Sequence, residues 1–199
     1  MRIQLDGTNQ HNYIYLFRHG ETNWNTENRI MGQLEDASIS FTENGLKQIK
    51  YLIKTINDLD IGTIFSSDLK RAQDTSIVIN NELNIPISFH KELRGLNMGK
   101  YQGLLFKDAL KKKEVIEAFN DYAKPIPEGE SINQLNNRLF SFIKKKVSEC
   151  PHKNIAIVSH GTAIGNIKAY ISGEKYIHID SCVILYKNNE FKFMESNVY

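Results

Sequence analysis

The chain has 199 residues, 41% of them hydrophobic and 24% charged, with 25 basic against 23 acidic side chains and a net charge of +2. These are globular values on a chain long enough to bury a sizeable core, and they exclude a disordered polyelectrolyte. So balanced a charge argues against nucleic acid as the main partner.

Residues 1–12 are polar and read as a loosely held lead-in. The run Tyr13-Ile14-Tyr15-Leu16-Phe17 then passes straight into Arg18-His19-Gly20. A short apolar run rich in aromatic and β-branched residues predicts a strand buried on both faces, which the glycine terminates. Residues 21–40 show no sustained period, and a loop of that length in a compact domain is usually functional. Thr42 reads as an N-cap for a helix over about 43–57, with Leu46, Ile49, Leu52, Ile53 and Ile56 forming its apolar stripe. A second strand at 61–65 leads into Ser66-Ser67-Asp68, residues with cap chemistry, and a helix from about Leu69 to Leu83.

Proline assigns 85–89 to an edge strand. An irregular stretch over 93–103 precedes helical patterns at about 105–122 and, beyond the Pro125–Gly129 break, up to about 149. Asn154–Ser159 reads as another buried strand, ending in His160-Gly161 and a short helix over 162–171. Segments 182–186 and 191–194 make a closing hairpin. Strands alternating with helices predict one three-layer α/β/α domain over residues 1–199, with a mostly parallel central sheet. Lys111-Lys112-Lys113 and Lys144-Lys145-Lys146 fall within helical patterns and read as solvated faces. Cys150 and Cys182 have neither metal spacing nor the number for a disulfide framework, so both are expected as free thiols. No amino-terminal apolar segment and no run near eighteen apolar residues is seen, so a cytoplasmic protein without a membrane partner is expected.

Three predicted strands end in related chemistry: Arg18-His19, then Ser66-Ser67-Asp68 leading to Arg71, and His160. Parallel strands bring their carboxyl ends to one sheet edge, so two arginines and two histidines can converge there. Guanidinium forks suit phosphate oxygens, helix amino termini near Asp68 and Thr162 add donors, and a histidine can act as nucleophile. Taken singly, each residue has another reading. Arg71 is equally placed to pair with Asp74 at i, i+3, and His160 to be a satisfied core histidine.

The segments Leu16–Asn25, Glu27–Gly32, Phe41–Leu46, Leu69–Thr75, Gly129–Ser131 and Val158–Gly161 together resemble the histidine phosphatase superfamily, in its phosphoglycerate-mutase-like branch. The resemblance spans about residues 13–170. It implies that His19 is a nucleophile that becomes phosphohistidine, with Arg18, Arg71 and His160 around the phosphoryl group. Asn25 would contact the phosphate, Thr22 and Thr162 would line the same pocket, and Gly20 and Gly161 would let the backbone approach. The expected partner is a small phosphorylated metabolite, and neither cofactor nor metal is implied.

One position departs from the pattern. Where such proteins commonly carry a glutamate that protonates the leaving oxygen, this chain has Gly95, within Leu93-Arg94-Gly95-Leu96-Asn97-Met98-Gly99. A general acid contributes roughly 10²–10⁴-fold in rate. Glu92, Glu128, Glu130 and Asp36 are the candidate substitutes, unless the natural leaving group needs no acid. The leading reading is a metal-independent phosphatase. The alternatives are a phosphoglycerate-type mutase and a phosphate-binding protein with weakened catalysis.

Overall fold

A computed structural model describes residues 11–151 and 153–196. One six-stranded sheet carries the architecture, built from β1 (His11–Arg18), β2 (Ile61–Ser67), β3 (Ile87–His90), β4 (Asn154–Ser159), β5 (Ser181–Lys187) and β6 (Glu190–Ser196). Their order across the sheet is β3-β2-β4-β1-β5-β6. The pairs β3/β2, β2/β4 and β4/β1 are parallel, whereas β1/β5 and β5/β6 are antiparallel. The expected three-layer, mostly parallel α/β fold is therefore present. Most of the lead-in expected over 1–12 lies outside the described residues, but its last two, His11 and Asn12, open β1.

The helices are α1 (Asn23–Thr26), α2 (Glu43–Asn57), α3 (Lys70–Leu83), α4 (Phe106–Ala109), α5 (Lys113–Asn120), α6 (Ile132–Glu149) and α7 (Gly161–Ser172). In β1, Tyr13, Tyr15 and Phe17 join one core with Leu52 and Ile56 of α2 and Ala72 and Ile79 of α3. Ile14 and Leu16 point the other way, into a second core with Leu135, Leu139 and Ile143 of α6 and Ala163, Ile164 and Ile167 of α7. Strand residues alternate faces, so a run apolar at every position is what a strand covered by helices on both sides requires.

Local chemistry sets the element ends. Thr42 caps α2 by accepting from Gly45 N at 2.9 Å. Ser131 and Gln134 form a reciprocal capping box on α6. Asn188 and Asn189 both take left-handed φ, as the tight β5–β6 hairpin turn demands.

Four expectations need correction. Ser66 and Ser67 are not cap residues: β2 runs on through both, and Leu69 precedes α3 without a side-chain cap. Asp68 instead pairs with Arg94 at 2.6 Å. Pro86 stands just outside the edge strand, because it has no N–H to donate to a ladder, and only its carbonyl takes part, accepting from Ile64 N. The 105–122 pattern breaks into two short helices with a turn over Leu110–Lys112 between them. Leu46, counted in the apolar stripe of α2, is half-exposed, because the buried seam of that helix runs through Gly45, Ile49, Leu52 and Ile56. Cys150 and Cys182 are both free. No helix among the described residues is long and apolar enough to cross a membrane.

This seam predicts a contrast within α2. Leu52→Ala, at a buried position, should cost about 2–5 kcal/mol of stability, as large-to-small core changes do. Leu46→Ala should cost about 0.5 kcal/mol or less. Urea midpoints measure both, and equal losses would contradict the placement.

Candidate active site

The sheet register assembles the site. Arg18 pairs with Ser159 across β1 and β4, and Ser66 pairs with Val158 across β2 and β4. Arg18-His19, Ser67 and His160 thus leave adjacent strands at one edge. His19 N donates to Ser159 O at 3.0 Å, tying the first histidine to the strand that ends in the second. The two imidazoles meet edge to face with centroids 5.1 Å apart.

His19 is buried, and its Nδ1 lies 2.8 Å from the carbonyl of Gly20. A carbonyl only accepts, so Nδ1 carries the proton and Nε2 keeps its lone pair. Arg71 Nε donates to that Nε2 at 3.2 Å. Burial, then the charges of Arg71 and Arg18, hold the His19 pKa well below the usual imidazole value. The ring is neutral at pH 7, with a bare nitrogen facing a guanidinium.

Arg71 is itself buried and is oriented by donation from Nη2 to Gly32 O at 2.7 Å. Burial lowers its pKa to about 10, which leaves it charged at neutral pH. The pairing with Asp74 that its spacing allowed does not form, since Asp74 binds Lys70. Arg18 is held by Asp180, whose carbonyl accepts from Arg18 N at 2.8 Å and whose Oδ1 accepts from Nη1 at 2.8 Å. His178 and Arg18 keep the Asp180 carboxyl well below the ordinary carboxylate range.

His160 places Nε2 2.9 Å from Ser67 Oγ, and its buried Nδ1 has no hydrogen-bond partner among the described residues. Burial first, and then Arg71, push its pKa well below the usual value too. Arg18, His19, Arg71, His160, Asn25 and Thr162 all line one cavity of about 800 Å³. Thr162 Oγ1 accepts from Leu96 N at 3.1 Å. Thr22 does not reach this cavity: it is buried, and its N–H and hydroxyl both donate to Asn25 Oδ1 at 3.0 Å. That contact turns the amide of Asn25, so Thr22 acts through its neighbour.

None of the candidate acids lines the cavity. Glu130 is clamped by Arg138, with Oε1 2.6 Å from Nη2 and Oε2 2.9 Å from Nε. Glu128 is exposed with a left-handed backbone, and Asp36 accepts from Ser38 at the surface. Glu92 offers its carbonyl, not its carboxylate, to Arg138. Among the described residues Glu21 is the one carboxylate on the cavity wall, and it accepts from Thr42 Oγ1 at 2.7 Å. Gly95 does not take a left-handed conformation; a Cβ there would stand 3.1 Å from His160 Cβ and 3.1 Å from Thr162 Oγ1. The position faces the second histidine, and its occupant is hydrogen. Among the described residues no group of three or more His, Cys, Asp or Glu is arranged to hold a metal ion.

The sequence reading named Ser67 only as cap chemistry on the way to Arg71, and did not single out Asp180, His178 or Arg138. A usable signal existed for Asp180. An antiparallel strand starts at the edge where its parallel neighbours end, so the residue before β5 must arrive beside Arg18. A Cβ at Gly161 would overlap the His178 ring, so only glycine lets the 173–180 segment close over the start of α7.

A family model described as the histidine phosphatase superfamily (branch 1) matches residues 14–190. "Probable phosphoglycerate mutase GpmB" of Erwinia tasmaniensis is 30% identical over 181 residues, covering 86% of this chain and 82% of the relative. The protein of that name from Escherichia coli is 31% identical over the same length and shares. Among solved structures, the α-ribazole phosphatase of Shigella flexneri superposes with a TM-score of 0.77 at 22% identity, covering 93% of this chain and 96% of that one. A phosphoglycerate mutase from Bacillus anthracis gives 0.79 at 21% identity, covering 96% and 94%. At those identities the structural likeness speaks for the fold alone. The family match over most of the length, with relatives at 30% identity and more, goes further: the chain belongs to the histidine phosphatase superfamily.

Proposed function

We propose that this protein is a metal-independent phosphatase that hydrolyses a small phosphomonoester through a phosphohistidine on His19. Membership of the superfamily makes it a phosphatase- or mutase-type enzyme. The observation that carries the finer reading is the state of His19: buried, neutral, tautomer set by Gly20, and Nε2 bare beside Arg71.

In the first step Nε2 donates its lone pair to phosphorus. The P–N bond forms, the P–O bond breaks, and the electron pair leaves on the ester oxygen. Arg18 and Arg71 offset charge on the equatorial oxygens, and His160 offers a ring nitrogen that has no hydrogen-bond partner among the described residues. Asn25 and Thr162 hold the periphery of the group. In the second step water attacks phosphorus, the P–N pair returns to Nε2, and inorganic phosphate departs with the water's proton passed to solvent or to the departed oxygen. With hydrogen at Gly95 the leaving oxygen carries its own charge away and takes a proton from water.

The mutase reading is supported by the names of the 30–31% identical relatives. Gly95 weighs against it. Transfer in both directions between alkyl hydroxyls needs a group that acts as acid one way and base the other.

Turnover of p-nitrophenyl phosphate in the presence of a chelator tests the assignment. His19→Ala should reduce turnover to background and remove an acid-labile phosphoenzyme. Near-native turnover would overturn the nucleophile assignment, and tight phosphate binding without turnover by the native chain would favour a binding protein. Arg71→Ala should weaken vanadate inhibition by about 1.5–3 kcal/mol, the range for hydrogen bonds to charged groups. Unchanged inhibition constants would remove Arg71 from the phosphate cradle.

The histidine pKa directions predict a pH signature. At pH 6 an ordinary imidazole is about three-quarters protonated, whereas His19 and His160 should remain neutral in ¹⁵N spectra of the folded protein. The unfolded chain binds protons there that the native state does not. Stability should therefore fall as pH drops below about 6.5, by up to ~1.4 kcal/mol per pH unit for each of the two rings. Titration of both rings with ordinary midpoints would show that they are not desolvated as described.

A further inference from the structure

The cavity that holds the phosphoryl cradle is far larger than the cradle, and its remaining wall has a different chemistry. Met98, Phe106, Leu110, Phe119, Tyr122 and Ile132 line it. They come from the segment after Gly95, from α4 and the turn that follows it, from α5 and the turn beyond it, and from the first residue of α6. Phe106, Leu110 and Tyr122 are between 40% and 47% exposed. Large apolar side chains clustered on a concave wall, and still open to water, mark a surface built to take an apolar partner.

The guanidinium on this part of the wall is already engaged. Arg29 donates to Gly103 O at 2.8 Å, pairs with Glu27 at 2.9 Å and lies 5.2 Å from the Trp24 ring. His178 stands against Asp180. A phosphorylated three-carbon acid would use a small part of the space, and among the described residues its carboxylate would meet no uncommitted guanidinium outside the cradle.

We propose that the monoester hydrolysed here carries a bulky aromatic body, with its phosphate in the cradle and its rings against the α4–α5 wall. This rests on the phosphatase reading above and specifies its substrate class. Gly95 points the same way from an independent direction. A site without a carboxylic acid beside His160 favours leaving oxygens that bear charge well, and oxygens attached to aromatic rings do so better than alkyl ones.

The test uses the full chain and probes that separate body from leaving group. 1-Naphthyl phosphate and 1-naphthylmethyl phosphate share an aromatic body but differ in leaving-group acidity, and 3-phosphoglycerate has neither property. Both naphthyl probes should show KM values about tenfold or more below that of 3-phosphoglycerate, equivalent to about 1.4 kcal/mol, with kcat higher for the aryl ester. Naphthylmethylphosphonate should inhibit about tenfold more tightly than methylphosphonate. The double variant F106A/L110A should raise KM for the naphthyl probes about tenfold, while vanadate inhibition, which reads the cradle and the fold, moves far less.

Preference for 3-phosphoglycerate, or equal inhibition by the two phosphonates, would overturn the proposal while leaving the phosphatase reading intact. Phosphonate discrimination without turnover of any ester would do the reverse, upholding the aromatic subsite and sinking the phosphatase.

Discussion

The 2.8 Å hydrogen bond from His19 Nδ1 to the carbonyl of Gly20 determines which nitrogen of the ring is bare, and the chemistry of the site follows from that choice. With the proton fixed at Nδ1, Nε2 can accept from Arg71 and, with an ester present, attack phosphorus. The bond holds only because Gly20 is itself anchored, its N–H donating to Thr75 Oγ1 on the helix that presents Arg71. His19, the proposed nucleophile, and the guanidinium opposite it are thus referenced to one another through α3. Burial adds the second condition. In water two arginines would change the proton affinity of an imidazole little, but in a desolvated site the charges act at short range through a weakly screening medium. Burial itself, and then those charges, keep the ring neutral, the form that the proposed attack on phosphorus requires.

Gly95 is supported as firmly as His19. Arg138 donates to the carbonyls of Glu92, Arg94 and Gly95 at 2.7–2.8 Å while gripping the Glu130 carboxylate, which accepts in turn from Asn97 N. Gln33 adds a further donor to Gly95 O. A segment carrying no catalytic side chain is thus fixed from three elements. What the clamp positions is the backbone over His160 and Thr162 and, just beyond it, Leu96 and Met98 on the cavity wall. The conformation of this stretch serves the shape of the pocket, and it also accounts for Glu130, whose lone pairs are committed to holding it.

Much of this was legible in the order of residues, and the part that was not has a common physical cause. The apolar run into Arg18-His19-Gly20 announced a doubly covered strand. Thr42 and the two asparagines between the hairpin segments announced their own turns, because capping and left-handed φ are local chemistry. Ser66 and Ser67 misled for the same reason. Locally they resemble a helix cap, but the sheet claims them, and Ser67 Oγ finds His160, 93 positions away. Arg18 finds Asp180 across 162 positions. Such pairings are set by strand order, which no local window contains. The break of 105–122 into two short helices belongs to the same category, since the backbone of this region is tied to Asn28 and Arg29 in the long loop after β1.

The two halves of the cavity place opposite demands on one ligand, and together they restrict it more than either does alone. A cradle of two guanidiniums and two neutral imidazoles rejects any group that lacks dense negative charge. On the proposed reading, an apolar wall whose Arg29 is already paired with Glu27 disfavours a second anion, which would have to break that pair to be received. The molecule that satisfies both is charged at one end and apolar at the other, joined by a bond short enough to keep both ends in the same cavity. Without a carboxylic acid at Gly95, that bond must also break with little help from a proton. An oxygen shared between phosphorus and an aromatic ring meets all three conditions, and the absence of a side chain at one position becomes as selective as the presence of six on the wall.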